Sequence, residues 1–279
     1  MTSPSDTTTT VFITGVNSGI GYETVLALLK STSSYKIFLG ARSVGKAQDA
    51  INRLKGEIGC QNSEIYPVVV DLEDDESIQS CFQSVSRKTG RIDILINNAG
   101  ASFDSIGPSQ GMTTRHVFNK TWDINVTGTH ILTHTFVPLL IQSPNPRLLF
   151  LTSGSASLSR TEDPNWSLNK SPLAGWPKED ESGCSGGYLS YKSSKVGLNM
   201  VMREWHRILK NDKVKVWSIN PGTVLTNFGG DRKQLIKWGA KDPSTSGNFI
   251  KDVIEGKRDN DIGKIVNPPN APTGDILPW

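Results

Sequence analysis

A tyrosine four residues before a lysine on a helix sets a phenol beside an ammonium group. Tyr191-Lys192-Ser193-Ser194-Lys195 has that spacing. The Lys195 charge would favour the ionised form of Tyr191, making a phenol of ordinary pKa near 10 a usable general acid. Near the amino terminus the apolar run Val11-Phe12-Ile13 ends in Thr14-Gly15-Val16-Asn17-Ser18-Gly19-Ile20-Gly21, and residues 22–29 continue as a helical pattern. Strand, glycine turn and helix in succession predict a dinucleotide site. Glycines allow positive φ and close backbone approach, and the helix start offers unpaired N–H groups and a positive dipole end to a pyrophosphate. The spacing is G-x-x-x-G-x-G rather than the general G-x-G-x-x-G, and an ordinary strand-to-helix turn is the alternative.

Taken with Tyr191 and Lys195, this glycine pattern resembles the short-chain dehydrogenase/reductase family. Its members carry TGxxxGxG, NNAG, an asparagine, a serine, YxxxK and a PG segment in that order. The chain has each in turn: Thr14 to Gly21, Asn97-Asn98-Ala99-Gly100, Asn125, Ser153, Tyr191 with Lys195, and Pro221-Gly222. The resemblance covers about residues 10–230. It is similar in kind to NADPH-dependent carbonyl reductases of fungal type, several of which also end in Pro-Trp, as Pro278-Trp279 does here.

The resemblance implies roles. Tyr191 donates the proton, Ser153 hydrogen-bonds the carbonyl oxygen, Lys195 binds nicotinamide-ribose hydroxyls and tunes Tyr191, and Asn125 holds a water leading to Lys195. Gly15, Asn17, Ser18, Gly19, Ile20 and Gly21, with Asn98, Ala99 and Gly100, line the cofactor. Asp71, beside Leu72, accepts from the adenine amino group. Pro221, Gly222 and Val224 pack on the nicotinamide, and Thr226 meets its carboxamide. Ser155 rivals Ser153, and Tyr188, itself followed by Lys192 at i+4, rivals Tyr191 but is read as lining the pocket. Asp71 and Thr226 each have a plain helix cap as alternative.

Cofactor choice is read after the second strand, where a carboxylate suits the 2′-hydroxyl of NAD and an arginine the 2′-phosphate of NADP. Arg42 lies 21 residues beyond Gly21. Its guanidinium can grip a phosphate bidentately, with Ser43 adding a hydroxyl donor. The expectation is NADP(H), although the glycine turn lacks the second basic residue that many NADP-dependent relatives carry, and a solvated Arg42 at a helix start is the alternative.

The elements that must position these groups alternate. Strands are expected at 36–40, 65–70, 92–96, 148–151 and 214–219, with helices at 46–57 and 75–88 between the early ones. This is a Rossmann-type, doubly wound parallel α/β sheet in which every motif sits at a strand end or on the helix that follows. The chain of 279 residues is read as a flexible tail over 1–10 and one domain over 11–279. Tyr191 follows Ser153 by 38 residues, whereas the family pattern sets them much closer. The insertion, about 157–187, is rich in Ser, Pro and Gly and holds Trp166 and Trp176 between Pro164, Pro172 and Pro177. It would cover the active-site mouth, its tryptophans either walling a bulky or aromatic substrate or pinning the loop. By resemblance to monomeric carbonyl reductases it favours a monomer over a homodimer. A further helix is expected at 244–255, within a C-terminal pocket-shaping segment of about 224–279.

A net charge of +3 without a basic run predicts no nucleic-acid partner. Cys60, Cys81 and Cys184 are odd in number and lack metal spacing, which points to reduced thiols in a cytoplasmic protein. His130 and His134 share a helix face without a third ligand, so no metal is expected. The opening residues lack the apolar core of a signal peptide, and no apolar run reaches the roughly 18 residues of a membrane span. The expected activity is hydride transfer between NADP(H) and a ketone or aldehyde, or the reverse alcohol. An imine, iminium or enone reductase is the alternative on the same scaffold, and a silent NADP(H) sensor the alternative of another class.

Overall fold

Consecutive side chains of a strand face opposite ways, and in β1 (Thr9–Thr14) both directions are apolar. Val11 and Ile13 join one buried cluster, Phe12 the other. A strand apolar on both faces belongs inside a parallel sheet with helices on either side. The computed structural model, which describes residues 8–58, 63–166, 169–176, 188–228 and 232–279, has that architecture. The tail over 1–7, Cys60, Cys184 and the insertion at 167–168 and 177–187 lie outside the described residues.

The chain continues through α1 (Gly19–Leu29), β2 (Tyr35–Ala41), α2 (Val44–Ile58), β3 (Glu64–Val69), α3 (Asp75–Ser86), β4 (Ile94–Asn97), α4 (Thr114–Trp122) and α5 (Thr129–Leu140). Then come β5 (Arg147–Leu151), α6 (Leu189–Ile208), β6 (Lys215–Ile219), α7 (Arg232–Lys237), α8 (Pro243–Ile254), β7 (Ile265–Val266) and β8 (Ile276–Leu277). The sheet order is β3-β2-β1-β4-β5-β6-β7-β8, parallel except for the antiparallel β7–β8 pair. Winding reverses between β1 and β4, which makes the crevice beyond their carboxyl ends the topological switch point.

One apolar layer unites α1, α2 and α8 against the sheet, and the other unites α3, α5 and α6. In the second, the rings of Phe12 and Phe136 stack at 4.5 Å. Trp217, fully buried in the first, donates its indole N–H to the Arg258 carbonyl at 3.0 Å. Each such large apolar side chain contributes roughly 1.5–3 kcal/mol by leaving water. The doubly wound parallel sheet expected from the sequence is the observed one.

Boundaries differ in places. β1 takes in Thr9 and Thr10, assigned above to the tail, because they pair with Tyr35 and Lys36 and the Thr10 N–H donates to Asp93 at 2.8 Å. The helix α1 starts at Gly19, inside the glycine motif. The expected helix at 244–255 is α8, capped by Asp242, whose carboxylate accepts from the Ser244 N–H at 2.9 Å. β7 and β8, two residues each, are too short to show a period. His130 and His134 pack on Trp205 of α6, with ring centroids 5.5 and 6.5 Å away.

Candidate active site

The glycine turn between β1 and α1 is built for close approach. Gly15 and Gly19 have φ of +73° and +60°, where side chains are strained. A Cβ on Gly15 would lie 2.8 Å from the Ala99 Cα, and one on Gly21 would run into the Gly15 carbonyl and the Asn98 amide. Ser18 stands at the N-cap of α1 with no side-chain capping bond, so the first-turn N–H groups face the turn with the positive helix dipole behind them. The NNAG segment braces this cradle from β4. The Asn98 amide donates to the carbonyls of Thr14 and Gly15, while the Thr14 hydroxyl accepts from the N–H groups of Asn98 and Ala99 at 3.2 and 3.0 Å. The Thr226 methyl lies 3.2 Å from where a Gly19 Cβ would stand, which brings the Pro-Gly segment over the turn. These groups fit a dinucleotide pyrophosphate.

Beyond β2, Arg42 is exposed and Ser43 spends its oxygen on the start of α2, accepting from the Lys46 N–H at 3.3 Å. A second guanidinium arrives from α2. Arg53 lies 4.5 Å over the Tyr22 ring and donates to the Asn17 carbonyl in the glycine turn. The glycine turn itself holds no second basic residue; Arg53, 36 positions on, reaches it across space. Asp71 Oδ1 accepts from the Glu73 N–H at 3.1 Å, whereas Asp74 caps α3, so the cap alternative for Asp71 falls away. Leu72 is buried, and its carbonyl presses on Gly128, where a Cβ would not fit.

A π-helical turn, Asp123–Gly128, joins α4 to α5 and carries Asn125, which is fully buried. Its side chain accepts from the Ala101 N–H and donates to the Ala101 carbonyl, both at 2.8 Å, and donates to the Ser194 hydroxyl at 2.9 Å. Ser153 follows β5, its hydroxyl 2.9 Å from that of Ser155, so the two rivals form one pair. Tyr191 and Lys195 lie in the first two turns of α6. The Lys195 Nζ is 5.8 Å from the centre of the Tyr191 ring and donates to the Leu151 carbonyl at 2.7 Å. Gly100 leaves room for that ammonium, since a Cβ there would sit 3.2 Å from Nζ. Tyr188 occupies the N-cap position of α6 in the left-handed conformation, φ +66°.

Electrostatics depart from the sequence expectation in one respect. Burial pushes the Tyr191 phenol up to about 12, and a hydrogen bond with Ser153 pulls the other way. Burial also pushes the Lys195 ammonium down to about 8. In the protein alone desolvation therefore outweighs the phenol–ammonium pairing inferred from i, i+4 spacing, because Nζ is turned toward the Leu151 carbonyl.

Two aromatic contacts were not legible in the spacing. Phe228 lies 5.4 Å from the Tyr191 ring, two residues past Thr226, whose hydroxyl accepts from the Phe228 N–H at 3.3 Å; this is a local turn and not a helix cap. In the insertion, Trp166 packs on the Arg160 guanidinium at 4.0 Å, a contact within the insertion itself, while Trp176 is 81% exposed.

No helix among the described residues is long and apolar enough to cross a membrane. The chain is similar to solved carbonyl reductases from chicken fatty liver, bound to NADPH (TM-score 0.75, 21% identity, 97% of this chain and 98% of that one), and to Sniffer of D. melanogaster (TM-score 0.73, 22% identity, 98% and 100%). At such identities these likenesses speak to the fold. In sequence it is 40% identical over 257 residues to the short-chain dehydrogenase/reductase tropE of Talaromyces stipitatus, covering 92% of this chain and 94% of that one. It is 43% identical over 257 residues to eupG of Phoma sp, covering 88% and 90%. The profile of the short chain dehydrogenase family matches residues 9–178. With that match and relatives aligned almost end to end, the chain belongs to the short-chain dehydrogenase/reductase family of oxidoreductases.

Proposed function

We propose that the protein is an NADPH-dependent reductase of a ketone or aldehyde, able to run in reverse on the alcohol. The observation that carries this reading is the convergence of Ser153 after β5, Tyr191 and Lys195 one turn apart on α6 with Nζ 5.8 Å from the Tyr191 ring, and the glycine cradle after β1, all beyond the carboxyl ends of the central strands. The dinucleotide, when bound, supplies the hydride to the carbonyl carbon. The chain's own groups handle the oxygen. Ser153 donates a hydrogen bond to it, and Tyr191 delivers its phenolic proton as negative charge develops there. Lys195 holds a positive charge beside the resulting phenolate. Asn125 Oδ1, which accepts one bond from Ala101, keeps a lone pair for the water that would return a proton by way of Lys195.

Two guanidiniums support NADPH over NADH: Arg42 beyond β2, and Arg53 on the glycine turn. Asp71 and Leu72 are proposed at the adenine, and Pro221, Gly222, Val224 and Thr226 at the nicotinamide. Phe228 against Tyr191 favours a bulky or aromatic substrate. We further read the protein as a cytoplasmic monomer, its insertion hindering close pairing ahead of α6.

The test is consumption of NADPH and NADH by purified protein with a panel of aliphatic, aromatic and polycyclic aldehydes, ketones and quinones. Turnover with NADPH at far higher kcat/KM than NADH is expected. Preference for NADH would discard the arginine assignment. Turnover of imines or enones alone would transfer the site to those substrates, and nucleotide binding without any turnover would favour the sensor.

A further inference from the structure

The helix that carries Tyr191 cannot cap itself. The first N–H groups of a helix lack intrahelical acceptors, and the N-cap residue of α6, Tyr188, brings no side-chain acceptor to them. The missing acceptor comes from Asp104, 86 residues before Ser190 and only 5% exposed. Its Oδ1 accepts from the Ser190 N–H at 2.8 Å, and its Oδ2 accepts from the Tyr191 N–H at 3.1 Å. Oδ2 also accepts from the hydroxyls of Ser190 and Ser102, at 2.8 and 3.2 Å. Ser190 and Tyr191 are the second and third residues of α6, the two amides that an N-cap side chain serves in an ordinary helix. A carboxylate there also faces the positive end of the helix dipole.

Asp104 ends a short strap that begins at the NNAG turn. Gly100 lies against Lys195 Nζ and Asn125 Oδ1, and Ala101 exchanges two hydrogen bonds with Asn125. The residues 98–104 therefore tie the glycine turn, Asn125 and the backbone of Tyr191 into one piece.

We propose that Asp104 is a positioning residue for the reaction, holding the Tyr191 phenol in register with Ser153 and the bound nucleotide by capping α6 from outside it. This rests on the reductase reading above. Asp104 touches none of the reacting atoms, so its loss should weaken proton delivery and spare nucleotide binding.

The test compares D104N with S190A. Asparagine keeps the shape but sets an N–H₂ group toward one of the two amides, whereas S190A removes the hydroxyl that bonds Asp104 and Thr121, at 2.8 and 3.1 Å, and leaves both amide bonds. For D104N, kcat should fall roughly tenfold or more, about 1.4 kcal/mol in the barrier, with the NADPH KM and the nucleotide fluorescence titration within about threefold; S190A should stay near wild type. Hydrogen exchange of the amides at 189–192 should speed up in D104N by more than any fall in global stability, read from the melting temperature and from the exchange of the core strands, accounts for. An unchanged kcat in D104N overturns the proposal. So does a fall in kcat matched by equal losses of bound nucleotide and folded protein. If D104N does not fold, D104S, which can accept from one amide, takes its place, and an unaltered kcat there is equally fatal. If wild-type protein reduces no carbonyl, the reductase reading fails, while the exchange experiment still reports whether Asp104 holds Tyr191.

Discussion

The Asn98 side-chain amide donates to the carbonyls of both Thr14 and Gly15, at 2.7 and 3.0 Å, so the end of β4 holds the turn that leaves β1. Each bond contributes roughly 0.5–1.5 kcal/mol. Asn98→Ala should therefore lower the melting temperature by several degrees and raise the KM for the nucleotide roughly tenfold. Because Asn98 braces the cradle and no reacting group, kcat at saturating nucleotide should change little. Steady-state kinetics beside thermal melts separate the two effects.

Tyr191→Phe keeps the ring against Phe228 and deletes the proton. Reduction of a ketone should slow by roughly 10²–10⁴ in kcat, with nucleotide affinity by fluorescence titration unaltered. A substrate that needs no strong proton donor, such as an iminium, would lose far less, so the size of the loss discriminates between the two chemistries.

Arg42 is exposed just past β2 and Arg53 reaches the glycine turn from α2, so on the proposed reading their replacement should differ in kind. Arg42→Asp exchanges a phosphate partner for a hydroxyl acceptor and should reverse the NADPH/NADH ratio of kcat/KM. Arg53→Leu removes a charge and the brace on Asn17, weakening NADPH use by roughly 10-fold or more, the size of one charge-assisted hydrogen bond. Ratios measured with both nucleotides check both outcomes.

The Phe228 ring lies 5.4 Å from that of Tyr191, tilted at 59° to it, and on the proposed reading a flat substrate lies against it. Phe228→Ala should cost aromatic ketones roughly 0.5–1.5 kcal/mol, a few-fold to about tenfold in kcat/KM, with a smaller effect on aliphatic ones. A uniform loss across the panel would show that the ring only supports Tyr191.

Lys195 gives stability a pH signature. Its folded pKa is about 8 against the ordinary 10.5, because burial penalises the charge. Between those values the unfolded chain binds a proton that the folded chain has released, so this residue's contribution to stability rises as pH climbs from 8 to 10.5. Wild-type stability relative to Lys195→Met should increase by roughly 3 kcal/mol across that window. Subtracting the variant's curve cancels the opposite trends of Tyr191 and Cys81, whose buried groups favour the protonated form. Urea unfolding at stepped pH measures the difference, and parallel curves would refute the assignment.

What the sequence by itself determined is what local pattern encodes. Apolar runs such as Ile94 to Ile96 and 148–151 register as buried strands because burial on both faces leaves no room for polar alternation. The glycine turn and the Tyr191–Lys195 pair were legible because they stand at a strand end and on one helix face, while Asn98 and Ser153 were legible through the order of motifs in the resembled family. Tertiary structure alone decided what depends on residues distant in sequence. Arg53 reaches Asn17 over 36 positions, Asp104 reaches Ser190 over 86, and Phe228 meets Tyr191 from the far side of β6. Electrostatics are tertiary too, since the i, i+4 spacing brings Lys195 near Tyr191 yet cannot show that Nζ donates to the Leu151 carbonyl or that burial raises the phenol and lowers the ammonium. Periodicity reports which face a residue takes; the partner waiting at that face, and the water excluded there, are set by packing of the whole sheet.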